Sequence, residues 1–208
     1  MMRKNNTILV LIFIIIVSCF VYTGCQNNES SSKAKEVGEV LSGSVTDLAE
    51  NDISSAGKNA VLRVNNEDVD AYYFNVRVAL WEAYGSEDPV NEAINSMKRE
   101  AVEKEFAEKY GLTPTKEEIS EYVKSMKAEI ESTEESYAIV NELLAAIGIS
   151  YNEYWNEYKP KYEALSALTH IKVAEYISEN NMPELDISQV EYEILDLQHF
   201  EDLNKKYN

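Results

Sequence analysis

The sequence predicts a mainly α-helical domain with a short strand near residues 60–64 and a C-terminal segment that fits either a strand or a helix. Two observations indicate this class. Apolar residues recur at spacings of three and four through most of residues 70–177, and this is the period of one helix face. Three times, a Ser or Thr stands three residues before a Glu at the start of such a stretch, which is typical of a helix N-terminus.

The first 24 residues are typical of a secretory signal. Residues 1–6 carry Arg3 and Lys4 and no acid, and residues 7–22 are almost wholly apolar. This apolar run is shorter than the roughly 20 residues that a bilayer-spanning helix needs. Export followed by cleavage is therefore predicted, and the alternative is an uncleaved N-terminal helix with two incidental cysteines.

The signal ends in a pattern that resembles the bacterial lipobox, in which a cysteine after two small residues receives a diacylglycerol. Cys25 follows Thr-Gly, although Tyr22 stands where an aliphatic residue is usual. Cys19 is the alternative, but cleavage there would leave an apolar new terminus. We predict a signal peptide over residues 1–24 and a lipid anchor on Cys25, which places the protein at the extracytoplasmic face of the cell membrane.

Composition divides the remaining chain into a tether, a domain and a tail. Residues 25–59 are rich in Ser, Asn, Glu, Lys and Gly, a composition that buries too little apolar surface to fold. A helical domain is predicted over residues 60–182, followed by a tail over residues 183–208. The net charge is −18, and it becomes more negative when the basic signal is removed. Such a surface repels a phosphate backbone, so nucleic acid is not an expected partner.

The first elements are a strand and two helices. The strand at residues 60–64 is followed by an Asn-Asn turn, since Asn tolerates positive φ. A helix is predicted from about Asp70 to Tyr84, and a second from Asp88 as N-cap, with Pro89 at its first position, to Gly111. The apolar face of the first helix consists of Tyr73, Val76, Leu80 and Tyr84. The apolar face of the second consists of Ile94, Met97, Ala101 and Phe106.

The three capping boxes predict the starts of three further helices. They pair Thr115 with Glu118, Ser132 with Glu135, and Ser150 with Glu153. The third of these helices carries an aromatic stripe of Tyr151, Tyr154, Trp155, Tyr158 and Tyr162 that continues to Leu165. The second ends at Gly148. The apolar face of the first helix consists of Ile119, Tyr122, Val123, Met126 and Ile130. The apolar face of the second consists of Tyr137, Val140, Leu143, Leu144 and Ile147.

Pro160 lies inside the aromatic stripe and predicts a kink or a break, because it removes a helical hydrogen bond. A broken amphipathic helix can expose part of its apolar face, and an exposed apolar patch usually marks a binding site. Tyr154, Trp155 and Tyr158 are therefore predicted to line a groove for extended polypeptide segments. The alternative is that the same stripe packs in the core.

The C-terminal segment carries two conflicting patterns. Val190, Tyr192 and Ile194 alternate with glutamates, which predicts a half-buried strand that pairs with residues 60–64. The stretch from Leu195 to the end fits a frayed helix equally well.

The order of these elements resembles the N-terminal, peptide-binding domain of the SurA and PrsA-like extracytoplasmic foldases. Three segments carry the resemblance: VNNEDVD at residues 64–70, EKYGLTPTKEEI at residues 108–119, and GISYNEYW at residues 148–155. Asn66 stands where the family usually has Gly. The resemblance implies binding of unfolded or nascent exported chains. It covers residues 60–180, and only about 25 residues follow Pro183, where isomerases of the family continue into a parvulin domain.

No motif indicates catalysis, a metal or a cofactor. His170 and His199 are the only histidines and stand far apart in the sequence. His170 is expected on the polar side or edge of the last long helix. We expect a non-enzymatic, chaperone-like lipoprotein that holds unfolded exported polypeptides without prolyl isomerase activity. The alternative is an accessory lipoprotein that docks on one specific membrane or secretion partner.

Overall fold

A computed structural model describes residues 60–83, 85–146 and 149–207. The predicted signal, Cys19, Cys25 and the predicted tether lie outside the described residues, as do Tyr84, Ile147 and Gly148. The described residues form a mainly helical fold with one small sheet. No helix in the described part of the chain is long and apolar enough to cross a membrane.

The sheet has three antiparallel strands, β1 (Ala60–Val64), β2 (Glu67–Asp70) and β3 (Tyr192–Ile194), in the order β2-β1-β3. A two-residue turn joins β1 to β2, with φ values of 46° at Asn65 and 66° at Asn66. Positive φ at both positions is the requirement of the hairpin turn that matches strand twist. The turn sets the register in which Val64 faces Glu67.

β3 pairs with β1, as the alternating pattern predicted, and Ile194 lies opposite Leu62. The prediction that β3 is half-buried was wrong, because Tyr192 and Ile194 are both exposed. β3 is an edge strand, so its side chains extend past the margin of the core. Val190, which precedes the strand, is buried instead.

The first three helices begin at or next to the predicted residues, and the second ends at the predicted Gly111. Asp70 accepts a hydrogen bond from the Tyr73 N–H at the start of α1 (Ala71–Ala83). Asp88 caps α2 (Pro89–Tyr110), which ends at Gly111 with a φ of 68°. Both bonds of the predicted capping box open α3 (Lys116–Ile130).

α4 (Glu134–Ala146) uses a different cap from the predicted Ser132. The hydroxyl of Thr133 accepts the N–H of Ser136. The hydroxyl of Ser132 donates to the carbonyl of Glu129 and so closes the preceding helix. Two adjacent hydroxyl residues both fit an N-cap by spacing, and the position at which α3 ends decides between them.

The last long helix, α5, runs through Pro160 without a break, so the predicted break was wrong. It is α-helical over Tyr151–Glu153, π-helical over Tyr154–Ala164 and α-helical again over Leu165–Glu179. Its capping box of Ser150 and Glu153 forms as predicted. In an α-helix the proline ring clashes with the carbonyl four residues earlier. The wider π-helical turn moves that carbonyl away and accommodates the ring.

The C-terminal helix α6 (Leu197–Tyr207) packs on α1. The Phe200 ring lies 5.0 Å from the Phe74 ring, and His199 Nε2 lies 2.8 Å from Asn75 Oδ1. Burial lowers the pKa of His199, although Asp196 and Asp202 oppose this shift. The segment that was ambiguous by sequence is thus a strand followed by a helix, and both pack against the N-terminal elements.

Candidate functional site

The aromatic stripe of α5 forms part of the core. The exposed fractions of Tyr154, Trp155 and Tyr158 are 4%, 3% and 2%. The Tyr158 ring lies 5.8 Å from Tyr72 in an edge-to-face arrangement, which is a favoured geometry for packed aromatics. This burial contradicts the prediction that these three residues line a groove open to solvent, and it agrees with the alternative of core packing. The reason is that Pro160 widens the helix rather than breaking it.

A buried ion pair lies beside the stripe, inside the π-helical segment. Lys159 Nζ lies 2.8 Å from Glu163 Oε2, and their side chains are 2% and 7% exposed. The Tyr154 hydroxyl donates to the same carboxylate oxygen at 2.8 Å. Burial raises the pKa of Tyr154, and the charge of Glu163 raises it further. A shift of this segment would separate two buried charges, which is costly, so the pair stabilises its conformation.

A cavity of about 370 Å³ lies between β2, α2 and α5, and we call it the β2–α2 groove. Its volume falls within the range of about 300 to 1,000 Å³ that is usual for ligand sites. Both apolar and acidic side chains line it. The apolar members are Val64, Val69, Met97, Ala101, Ala107 and Leu165, and the acidic members are Glu67, Asp68, Asp70, Glu100, Glu103 and Glu108.

A polar cluster joins α1, α2 and α5 at the wall of the groove. The Tyr73 hydroxyl donates to the Glu100 carboxylate, and Arg77 donates to Glu100 at 2.8 Å and to the Tyr73 oxygen at 2.7 Å. The Tyr73 ring stacks on Tyr162 at 4.9 Å. Burial raises the pKa of Glu100, and the Arg77 charge opposes that shift. Because each of these groups is held by another, this wall is fixed before any ligand arrives.

A second internal contact also joins α2 to α5. His170 Nδ1 and Glu103 Oε1 share a hydrogen bond of 2.7 Å. Glu103 is buried and His170 is partly buried. His170 was expected on the polar side or edge of its helix, and the structure places it at the interface with α2. Its partner lines the groove.

The rim of the groove is bridged by an ion pair between Lys104 of α2 and Glu67 of β2. Their side chains are 48% and 57% exposed, so water reaches both charges. An exposed ion pair contributes only about 0 to 1 kcal/mol to stability. This bridge is therefore easily opened, in contrast to the partly buried Arg77–Glu100 pair.

The two histidines do not form a common site, because His170 pairs with Glu103 and His199 with Asn75. Among the described residues there is no cluster of three or more His, Cys, Asp or Glu side chains that could hold a metal ion. What the arrangement offers is a preformed groove that is lined by apolar and acidic side chains and has a strand along one side.

Sequence reasoning missed this groove, because its residues come from segments as distant as Val64 and Thr169. One local signal was available. The short strand after the Asn-Asn turn carries three acids in four residues, and charged residues are typical of sheet edges.

Comparison with family models of known proteins gives a match. The family model of the SurA-like N-terminal domain matches residues 1–164, which include every element from β1 to the π-helical part of α5. No curated protein and no solved structure matches the chain significantly. The match covers most of the chain and agrees with the mainly helical fold and its small sheet. The protein therefore belongs to the family of SurA-like N-terminal domains.

Proposed function

We propose that this protein is a chaperone-like module that holds unfolded exported polypeptides at the extracytoplasmic face of the cell membrane, anchored there by lipid on Cys25. The observation that carries the proposal is the β2–α2 groove in a domain of the SurA-like N-terminal family, which suggests polypeptide binding. The basic, apolar start of the chain and the small residues before Cys25 support the anchor.

The groove suits chains that have no common sequence. Its apolar lining gains free energy from any apolar side chain that it removes from water. Its walls are held by internal contacts such as Arg77 with Glu100 and Glu103 with His170. A preformed site loses little binding free energy to the ordering of its own side chains, so modest contacts with many different segments are sufficient.

Prolyl isomerase activity is not part of the proposed function. In the foldases that the chain resembles, this activity belongs to the parvulin domain, and the matched family is that of the N-terminal domain. We expect no acceleration above background in a proline-peptide isomerisation assay. Robust turnover would contradict this part of the proposal.

The test of holding is suppression of aggregation, measured with several unrelated unfolded proteins at near-stoichiometric ratios. Leu165 and Ile171 form a matched pair for this test. Both lie on the second α-helical part of α5 and are 36% and 37% exposed, but only Leu165 lines the groove. We expect Leu165→Ser to lose holding activity and Ile171→Ser to keep it, with similar melting temperatures.

Two outcomes would contradict the proposal in different ways. Equal holding activity of both variants would show that the polypeptide site lies outside the groove. A wild-type protein that ignores all unrelated clients, while one membrane or secretion component co-purifies from solubilised membranes, would favour the accessory lipoprotein instead.

A further inference from the structure

We propose that the β2–α2 groove selects extended segments that carry Lys or Arg, which add as a strand to β2 and displace Lys104 from Glu67. The inference rests on the proposed function and names the class of polypeptide that the groove prefers.

The geometry of β2 supports strand addition. In the described part of the chain, β2 is at one end of the sheet and pairs on one side with β1. All four of its residues, Glu67–Asp70, border the groove. Successive side chains of a strand point to opposite faces, so the groove runs along the edge of β2 rather than over one face. An extended peptide can hydrogen-bond to such an edge, while pockets beside it receive alternate side chains.

The register shows which main-chain groups of β2 point away from β1. Val64 and Glu67 flank the two-residue turn and lie opposite each other, which makes them a hydrogen-bonded pair. Hydrogen-bonded and non-hydrogen-bonded pairs alternate along an antiparallel ladder. The main-chain groups of Asp68 therefore point away from β1, and Asp68 borders the groove.

The charges decide which segments fit. Six carboxylates and two lysines line the groove. Asp68 is held by Arg63, Asp70 caps α1, and Glu100 and Glu103 have partners inside the wall. The pairs of Glu67 with Lys104 and of Asp68 with Arg63 are both exposed, but Arg63 is also held by Glu193, so Lys104 is the more easily displaced of the two cations.

Partner exchange at Glu67 costs little. An exposed ion pair is weak and is screened by salt, so a basic side chain of a bound segment can replace Lys104 at similar free energy. The bound segment also brings positive charge into an acidic groove, whereas an acidic segment would meet like charges.

The experiment uses the full-length chain in detergent and two fluorescein-labelled ten-residue peptides, one of alternating Val and Lys and one of alternating Val and Glu. Fluorescence anisotropy at low salt gives their dissociation constants. We expect the Lys peptide to bind at least about tenfold more tightly. Replacing the Lys peptide by a version N-methylated at alternate residues should weaken binding by a similar factor, because strand addition needs main-chain N–H groups.

Three variants test the displacement at the rim. Lys104→Gln should tighten binding of the Lys peptide by about two- to fivefold, since Glu67 no longer has a competing partner, and Glu67→Gln should weaken it by a similar factor. Lys205→Gln is the matched control. It breaks another exposed ion pair, with Asp202 on α6, and changes the net charge by the same amount as Lys104→Gln. The control should leave binding unchanged.

Equal effects of Lys104→Gln and Lys205→Gln would overturn the inference, because bulk charge alone would then explain them. Equal binding of the N-methylated peptide would overturn strand addition, and self-association of the Lys104→Gln variant without peptide would make a second copy the occupant. If the wild-type protein holds unfolded clients but binds both peptides equally, this inference fails and the proposed function survives. If it holds neither clients nor peptides, the proposed function itself fails.

Discussion

The buried pair of Lys159 and Glu163 provides a sharp test of the π-helical segment. We expect Lys159→Met and Glu163→Gln each to lower the free energy of unfolding by about 3 to 5 kcal/mol, because each removes the attraction within this ion pair while the other charge stays buried. The double variant should lie within about 1 to 2 kcal/mol of the wild type. The glutamine keeps an acceptor for the Tyr154 hydroxyl, so that no buried hydroxyl is left unsatisfied.

The magnitude follows from the geometry. At the observed separation of 2.8 Å, two unit charges attract by about 6 kcal/mol with an effective dielectric constant of about 20. Desolvating each ion costs several kcal/mol. The attraction and the desolvation cost nearly cancel while both charges are present, and removing either charge loses this attraction while the remaining ion stays buried.

Urea unfolding monitored by far-ultraviolet circular dichroism measures all three variants. Lys205→Met is the control, because Lys205 and Asp202 form an ion pair that is mostly exposed, and its unfolding midpoint should not change. Additive losses in the double variant would refute the coupling. Single losses no larger than that of the control would show that water reaches the pair.

Three further predictions concern the core, the pH dependence and the anchor. Trp155→Ala should lower the free energy of unfolding by about 3 to 5 kcal/mol, and a thermal melt close to that of the wild type would contradict its place in the core. A hydrogen bond from Lys172 and one from the backbone of Thr115 lower the pKa of Glu118 to about 2. The stability that the folded protein gains from these bonds to the Glu118 carboxylate is therefore complete above the ordinary pKa of about 4.5, and it is lost as the pH falls toward 2. The urea midpoint of Glu118→Gln should accordingly fall less between pH 7 and pH 3. Expressed in its host, Cys25→Ala should accumulate as an unprocessed precursor that is absent from the detergent phase, and the same result for Cys19→Ala alone would move the lipidation site.

Helix ends were predictable from the sequence because caps are local. Asp88 with Gly111, and Thr115 with Glu118, satisfy backbone groups within a few residues of themselves. Their spacing in the sequence therefore contains most of the information. Ser132 shows the limit of this reasoning, since Thr133 beside it serves as the cap of α4.

The sheet was predictable only in part. The alternation around Tyr192 identified β3 and its pairing with residues 60–64, because strand alternation is also local. The alternation did not show that Tyr192 and Ile194 are exposed, since burial depends on what covers the edge of the sheet. The β2–α2 groove escaped prediction for the same reason, because long-range packing brings its walls together.

The π-helical segment explains why the sequence predicted neither the buried ion pair nor the groove. Regular helical spacing placed Tyr162 and Leu165 on the buried face with Tyr158. In the structure the buried face passes from Tyr158 to Lys159, Glu163 and Ala164, while Tyr162 and Leu165 line the groove.

A π-helical turn holds more residues than an α-helical turn, so eleven residues of it rotate every later side chain away from its regular position. The same rotation carries Lys159 and Glu163 into the core, where they must pair, and carries Leu165 out to the groove. Pro160, which disfavours the regular α-helical hydrogen bond, is the one sequence feature that marks this stretch. The residue that wrongly predicted a broken helix thus marks the segment that shapes the candidate site.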